Sequence, residues 1–471
     1  MPAFLRHSLD PGTCPATARQ VNQHLADTQS FTTMHHRHLS GCRPTGRALS
    51  ALSALRAVFL LAIAIATIAL ASCTPRGYVQ IGGYAQGGTW TVKYNTAGVK
   101  TRPAEVQRGV EEILADIDRT LSGYNRSSEL SRLNAGDTIT PSPMLIGIYN
   151  RSRRIWEATG GAVDVAAGPL FDIWGFGFKS GALPTSADIS AALAVSGMGR
   201  LVPRMEDAIL PDGRLCASRL VAEEGRQQNQ PKMQHPPVKI EGGASKSPEN
   251  AAALPPLTAA TIPQLNFNAV AQGYSCDTVA RYLNKLGIRD MLVDIGEILC
   301  RGVNASGRPW RVGVDRPTDG NATPGADLDG LWESDGFPFF QGIVTSGNYR
   351  KFYIRDGVKY SHTIDPRTGR PAENGLLSAT IVAPTAELAD ALATYCMVIG
   401  LDAAREYILS RSDIEGYLIY SAASPAASPV APAAATGSAP EASAASASAP
   451  EAPAAAPPAM SEWASPGFNL K

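Results

Sequence analysis

The sequence predicts an α+β fold. Helical and strand-like patterns follow one another irregularly, without the steady strand-helix-strand beat of a doubly wound sheet. Several segments carry apolar residues at helical period, and others read as short strands bounded by glycine.

The elements follow in chain order. "RPAEVQRGVEEILADIDRTLS" sets Val106, Val110, Ile113, Leu114, Ile117 and Leu121 on one face, with Pro103 at its start, where an N–H would lack a helical partner anyway. "SPMLIGIYNRSRRIWEATGG" reads as a second helix closed by Gly160 and Gly161. "VAQGYSCDTVARYLNKLGI" and "TAELADALATYCMVIG" are a third and a fourth, each ending at glycine. "MLVDIG" and "WRVGVD" read as strands, and "KFYIRDGVKYSHTI" as a hairpin turning at Asp356-Gly357. Two stretches interrupt this body. Residues 217–263 are polar and aperiodic around "QQNQPKMQHPPVK", as a long inserted loop would be. Residues 421–458 are almost pure Ala, Pro, Ser and Glu. "MSEWASPGFNLK" then reads as a last strand returning to the body, which makes the linker a loop tip.

The N-terminus suggests an address. The apolar run Ala57 to Leu70 is shorter than the roughly 20 residues of a membrane span and follows Arg37, Arg43, Arg47 and Arg56, the charged-then-apolar order of a secretory signal. It closes in "LASC", which resembles a bacterial lipobox with Cys73 as the lipidated residue; Thr74 beside it favours the outer membrane. Residues before Met34 are unlike a signal, so a start at Met34 is expected. The expected layout is an extension and signal over 1–72, a tether over 73–86 and a catalytic body over 87–471 facing the periplasm. In that oxidising compartment Cys216, Cys276, Cys300 and Cys396 are too scattered for a disulfide framework and lack metal-ligand spacing, so they read as small buried hydrophobes. Lys and Arg number 42, as do Asp and Glu, so no global field points to nucleic acid.

Four stretches carry the chemistry. On the fourth helix Asp390 and Thr394 lie one turn apart on one face, two hard oxygen donors of the kind Mg²⁺ accepts, although spacing alone favours a local hydrogen bond on a mostly apolar helix. "GGAVDVAAGPLFDIWGFG" sets aromatic rings among glycines, either to stack a flat heterocycle or to plug a core. Neither a GxGxxG helix start nor a P-loop occurs. In "IVTSGNYRKF", Thr345, Ser346 and the amides around Gly347 read as an anion-holding turn, with Arg350 as a bidentate grip on phosphate. "YSHTIDPRTGRP" offers His362 as a general base, tuned by the nearby Asp365, or else a plain surface histidine.

Together with "LSGYNRSSELSRLN", "NFNAVAQGYSCDTVARYLNKLGI" and the terminal "WASPGF", these motifs stand in the order of the FAD:protein FMN transferases, the ApbE family, which the sequence resembles from about Gly87 to Tyr420. The resemblance implies a single ApbE-like domain with two low-complexity insertions. It implies an enzyme that cleaves FAD at its diphosphate and passes FMN to a threonine hydroxyl of a target protein, releasing AMP. Flavin contacts are implied at Gly87, Ser122, Gly123, Tyr124, Ala162, Val163, Asp164, Asn266, Gln272 and Ile364. Mg²⁺ is implied on Asp390 and Thr394 with the carbonyls of Ala269 and Ala393, and His362 resembles the family's candidate base. The implied partners are flavin-accepting subunits of membrane redox complexes. The sequence departs from the family at Asn266, usually Asp; at Gln272, usually Lys or Glu; at Gly87, often Met; and in "VDIGEIL", which lacks one of two paired glycines. Those losses motivate two alternatives: hydrolysis of FAD to FMN and AMP, and a flavin-binding lipoprotein without catalysis.

Overall fold

The computed structural model describes residues 77–177, 183–222, 264–319, 321, 323–336, 338–355, 358–422 and 459–471. The signal, Cys73 and most of both inserted stretches lie outside the described residues. At the margins of the body the chain is more regular than its composition suggests. Part of the expected tether is strand β1 (Tyr78–Ala85), and Ala217–Leu220 is a short 3₁₀ turn followed by a bridge from Val221 to Leu201.

An eight-stranded antiparallel sheet forms the centre. Its order is β1, β2 (Gly88–Asn95), β3 (Met291–Asp294), β4 (Ile298–Arg301), β7 (Phe340–Gly347), β12 (Leu376–Ala383), β13 (Glu415–Ser421) and β14 (Met460–Ala464). β14 pairs with β13 from Tyr417↔Ala464 to Ser421↔Met460, so the last segment does return to the body. Three small ribbons stand apart from the sheet: β5 (Arg311–Asp315) with β6 (Leu328–Glu333), β8 (Phe352–Arg355) with β9 (Val358–Ser361), and β10 (Ile364–Asp365) with β11 (Arg370–Pro371).

The four expected helices form. α1 (Pro103–Leu121) buries Val106, Val110, Leu114, Ile117 and Leu121, while Ile113 sits at the edge of the same stripe. α2 (Glu129–Asn134) starts at Ser128, whose side chain accepts from Ser131 N. α3 (Pro143–Ala158) is capped in the same way by Ser142 and buries Leu145, Ile148 and Tyr149. α4 (Gly168–Ile173) and α5 (Ser186–Val195) follow, then α6 (Ala271–Lys285), α7 (Ala386–Ile399) and α8 (Leu401–Leu409). α1, α3, α6 and the β2–β4 strands share one core; α7, α8 and β12–β13 share a second. Each fully buried Val or Leu contributes about 1.5–3 kcal/mol, which makes these stripes the main source of stability.

α6 and α7 cap one another. The first turn of a helix leaves N–H groups without intrahelical partners. Asp277 of α6 accepts from Ala386 N at 2.9 Å and Glu387 N at 3.0 Å, the first two residues of α7. Asp390 of α7 accepts from Gly273 N, in the first turn of α6, at 3.2 Å. The crossing is close enough that a Cβ on Gly273 would stand 2.3 Å from Ala386 O, and one on Gly342 of β7 would meet Ala386 N and Cα at 2.5 Å.

Two substitutions test this clamp in urea titrations. Asp277→Ala leaves two amides unpaired and is expected to destabilise by roughly 1–3 kcal/mol for each. Gly273→Ala is expected to cost about 1–3 kcal/mol through overpacking.

Candidate active site

The clamp fixes Asp390 as a buried carboxylate at the crossing of α6 and α7. Burial drives its pKa well above the usual carboxylate value; the Gly273 amide opposes this, and the charges of Glu387 and Asp277 add to it. Thr394, one turn along α7, places its Oγ1 3.4 Å from Oγ of Ser346 on β7. Glu297, on the β3–β4 turn, is also raised well above its ordinary value, by burial first and then by the charge of Asp390, while Arg350 and Lys351 pull it down. Two carboxylates therefore sit close enough to repel one another. Gln272 of α6 lies against the same turn: its amide donates to Ile295 O at 3.4 Å, and a Cβ on Gly296 (φ +90°) would meet its Nε2 at 2.4 Å.

His362 directly follows β9. Its backbone N donates to Lys351 O at 3.1 Å, and its Nδ1 lies 3.0 Å from the same carbonyl. A carbonyl only accepts, so Nδ1 carries the hydrogen and the neutral ring's Nε2 is left as a basic lone pair. Burial and then the charge of Lys351 lower the His362 pKa, so the ring stays neutral further into the acid range than a free imidazole. Lys351 thus acts on both His362 and Glu297, and Glu297 feels Asp390.

Several expectations are corrected. Asp365 does not tune His362: it accepts from Arg367 N, Nε and Nη2, each at 2.9 Å, and the imidazole is oriented by a backbone carbonyl instead. Thr345 and Ser346 do not form a turn. Both lie within β7 and alternate sides, Thr345 bonding Thr380 at 2.8 Å while Ser346 faces Thr394. Arg350 is paired with Asp315 and lies over the Tyr349 ring at 5.2 Å, so the fork expected to grip phosphate is already engaged. The Trp-Gly-Phe-Gly rings stack on the tyrosines of the β8–β9 hairpin.

The expected flavin contacts lie in different settings. Ala162 and Val163 are buried against Ala389, Leu392 and Ala393 of α7, and Ala269 packs on the same cluster. Asp164 turns inward, accepting from Ala166 N at 2.8 Å and Met198 N at 3.0 Å, so its carboxylate anchors the loop. Ile364 is buried with Leu170 and Trp174. Asn266 holds Asn268 N at 2.9 Å beside a small cleft lined by Asn134, Gly168, Asp172 and Gln264. Ser122 closes α1, its Oγ accepting from Asn125 N at 3.0 Å, and Gly123 leads to Tyr124, 76% exposed. Gly87 (φ +81°) and Gln86 (φ +53°) turn the β1–β2 hairpin. The Gln86 side chain, in place of a Gly87 contact, reaches Ser275 of α6 at 2.6 Å. Cys276, Cys300 and Cys396 are buried and free, and Cys216 is half-buried and free.

Sequence reasoning missed Glu297 and Lys351. An acidic residue directly after a strand-ending glycine was a signal for the first. Lys351 acts through its main-chain carbonyl, which no side-chain pattern reveals, and through its charge, whose targets are fixed only by the fold. Among the described residues no three His, Cys, Asp or Glu side chains converge as a metal cluster. The Asp390 carboxylate and the Thr394 hydroxyl, one turn apart on α7, are oxygen donors of a kind that suits Mg²⁺ better than zinc. The repulsion between Asp390 and Glu297 fits a cation held there.

Neighbouring buried carboxylates on the α6–α7 crossing and a neutral, oriented imidazole on a separate ribbon are groups of the kind that phosphoryl transfer uses. The chain belongs to the ApbE family, which matches residues 86–418. An FAD:protein FMN transferase of Salmonella typhimurium is 34% identical over 334 residues, covering 69% of this chain and 80% of that protein. One of Escherichia coli K12 is 33% identical over 68% of this chain and 77% of its own length. Among solved structures, the flavin transferase ApbE of Vibrio cholerae aligns with a TM-score of 0.55 and 27% identity over 74% of this chain and 94% of that one. The apo flavinyl transferase ApbE of Pseudomonas stutzeri aligns with 0.55 and 28% over 73% and 92%.

Burial raises both Asp164 and Asp277 to about 6. A carboxyl raised on folding stabilises while protonated, so stability from these two is expected to fall as pH rises from about 4 to about 6. Asp164→Asn should flatten that slope in urea titrations across the window.

Proposed function

We propose that this chain transfers the FMN moiety of FAD to a threonine hydroxyl of a target protein, with release of AMP and with Mg²⁺ required. The observation that supports the reading is His362, a neutral imidazole whose Nδ1 is held by the Lys351 carbonyl, leaving Nε2 as the basic atom, with Lys351 acting on both the imidazole and Glu297. The flavin is taken up among the Ser122–Tyr124 segment, the Ala162–Asp164 loop, Asn266, Gln272 and Ile364. Asp390 and Thr394, with the carbonyls of Ala269 and Ala393, would hold Mg²⁺, which supplies charge neutralisation at the diphosphate when bound. His362 Nε2 accepts the threonine proton as the threonine oxygen bonds to the FMN phosphorus and the bond from that phosphorus to the AMP oxygen breaks. Such base assistance contributes about a hundred- to ten-thousand-fold. Arg350, tied to Asp315, contributes charge beside Glu297 rather than a direct phosphate grip.

The lipobox-like "LASC" supports an anchor at Cys73 and a periplasmic address, with flavin-accepting subunits of membrane redox complexes as targets. Cys73→Ser is expected to move the protein from the membrane to the soluble fraction on fractionation.

Incubation with FAD, Mg²⁺ and a threonine-bearing acceptor is expected to give an acceptor that stays fluorescent on a denaturing gel. Free FMN with an unlabelled acceptor would instead identify a hydrolase, the outcome that the uncharged Gln272 favours. His362→Ala is expected to bind FAD and lose transfer by at least about a hundredfold. In the wild type the acid limb of kcat/KM should fall below the ordinary imidazole value of about 6.5, because the lowered pKa keeps His362 basic to lower pH.

A further inference from the structure

The Trp-Gly-Phe-Gly run has no part in the reaction as described, yet its conformation is specific. α4 ends with Trp174 as its C-cap, Gly175 in the left-handed region at φ +76°, and Phe176 beyond it. Gly175 N donates to Asp172 O at 3.1 Å and Phe176 N to Phe171 O at 3.0 Å. This is a Schellman closure, in which the glycine is required by its backbone angle and the next side chain is aimed by the two hydrogen bonds.

Phe176 is aimed at the hairpin that carries His362. Its ring stacks on Tyr353 of β8 at 5.2 Å, Tyr353 stacks on Tyr360 of β9 at 5.4 Å, and Tyr360 meets Trp174 at 5.7 Å. Tyr353 Oη donates to Trp174 O at 3.2 Å, and Trp174 Nε1 donates to Gly369 O at 2.7 Å. The same Phe176 ring stands edge-on to the His362 imidazole, with centroids 6.4 Å apart. The hairpin lies outside the central sheet, so this ladder of rings is a main attachment to the body.

We propose that Phe176 is a positioning residue for His362: the capped end of α4 holds its ring against the imidazole, orienting it and keeping water from it. The proposal rests on His362 acting as the base. Around that ring, Lys351 precedes β8, Tyr353 and Tyr360 sit on the hairpin, and Asp365 lies beyond it tied to Arg367; the α4 end contributes rings. Of these groups Lys351 adds to the effect of burial on the imidazole, and burial is the larger.

Phe176→Ala keeps the helix-closing backbone and removes the ring. It is expected to raise the His362 titration midpoint toward the ordinary value, read by NMR of histidine-labelled protein without any turnover. It is also expected to lower kcat for FMN transfer about tenfold, a fraction of the base's worth, with KM for FAD unchanged. Phe176→Leu, which restores an apolar cover, should recover both. An unchanged titration and an unchanged kcat in Phe176→Ala overturn the proposal, as does a loss of kcat that Phe176→Leu does not recover. If the wild type transfers no FMN, the functional reading falls, and the NMR midpoint still decides whether Phe176 shields the imidazole.

Discussion

The reciprocal capping of α6 and α7 is the constraint on which the site depends. Each helix lends a carboxylate to the amides at the other's start, Asp277 to Ala386 and Glu387, and Asp390 to Gly273. The arrangement works only at short range, and glycine at 273 and at 342 provides that range on either side of Ala386. Asp390 is therefore buried and placed to better than a side chain's ordinary freedom. Its neighbours Thr394, Ser346 and Glu297 are brought in by elements packed against the same crossing. A carboxylate so deeply placed is costly unless hydrogen-bonded or balanced by positive charge. The Gly273 amide supplies part of that balance for Asp390, and Arg350 and Lys351 supply part of it for the neighbouring Glu297.

The base is built on a different principle. His362 stands at the foot of a two-stranded ribbon rather than on the central sheet. Its orientation comes from the Lys351 carbonyl and its cover from stacked rings on the end of α4. The acid side of the site is thus held by helix-end hydrogen bonds and the basic side by aromatic packing. Lys351 links the two, lowering the proton affinity of the imidazole and of Glu297 together.

The sequence by itself determined the helices, because α1, α3, α6 and α7 announce themselves by period, proline and closing glycine, all local signals. It determined the α+β class, the returning last strand and, through motif order, the family. It also brought out Asp390, Thr394 and His362, residue types whose chemistry is uncommon in the settings where they occur. What only the tertiary structure decided are the partners of those groups. Asp365 looked like the orienting group of His362 because it is near in sequence, but an arginine two residues on competes for it at shorter range. Thr345 and Ser346 looked like a turn, yet β12 pairs with them and makes them strand. Glu297, Gly273 and the Lys351 carbonyl gain their roles from segments far apart in the chain. Local pattern records the preferences of a residue for its near neighbours. Contacts across such separations are set by the packing of whole elements, and no short stretch of sequence contains them.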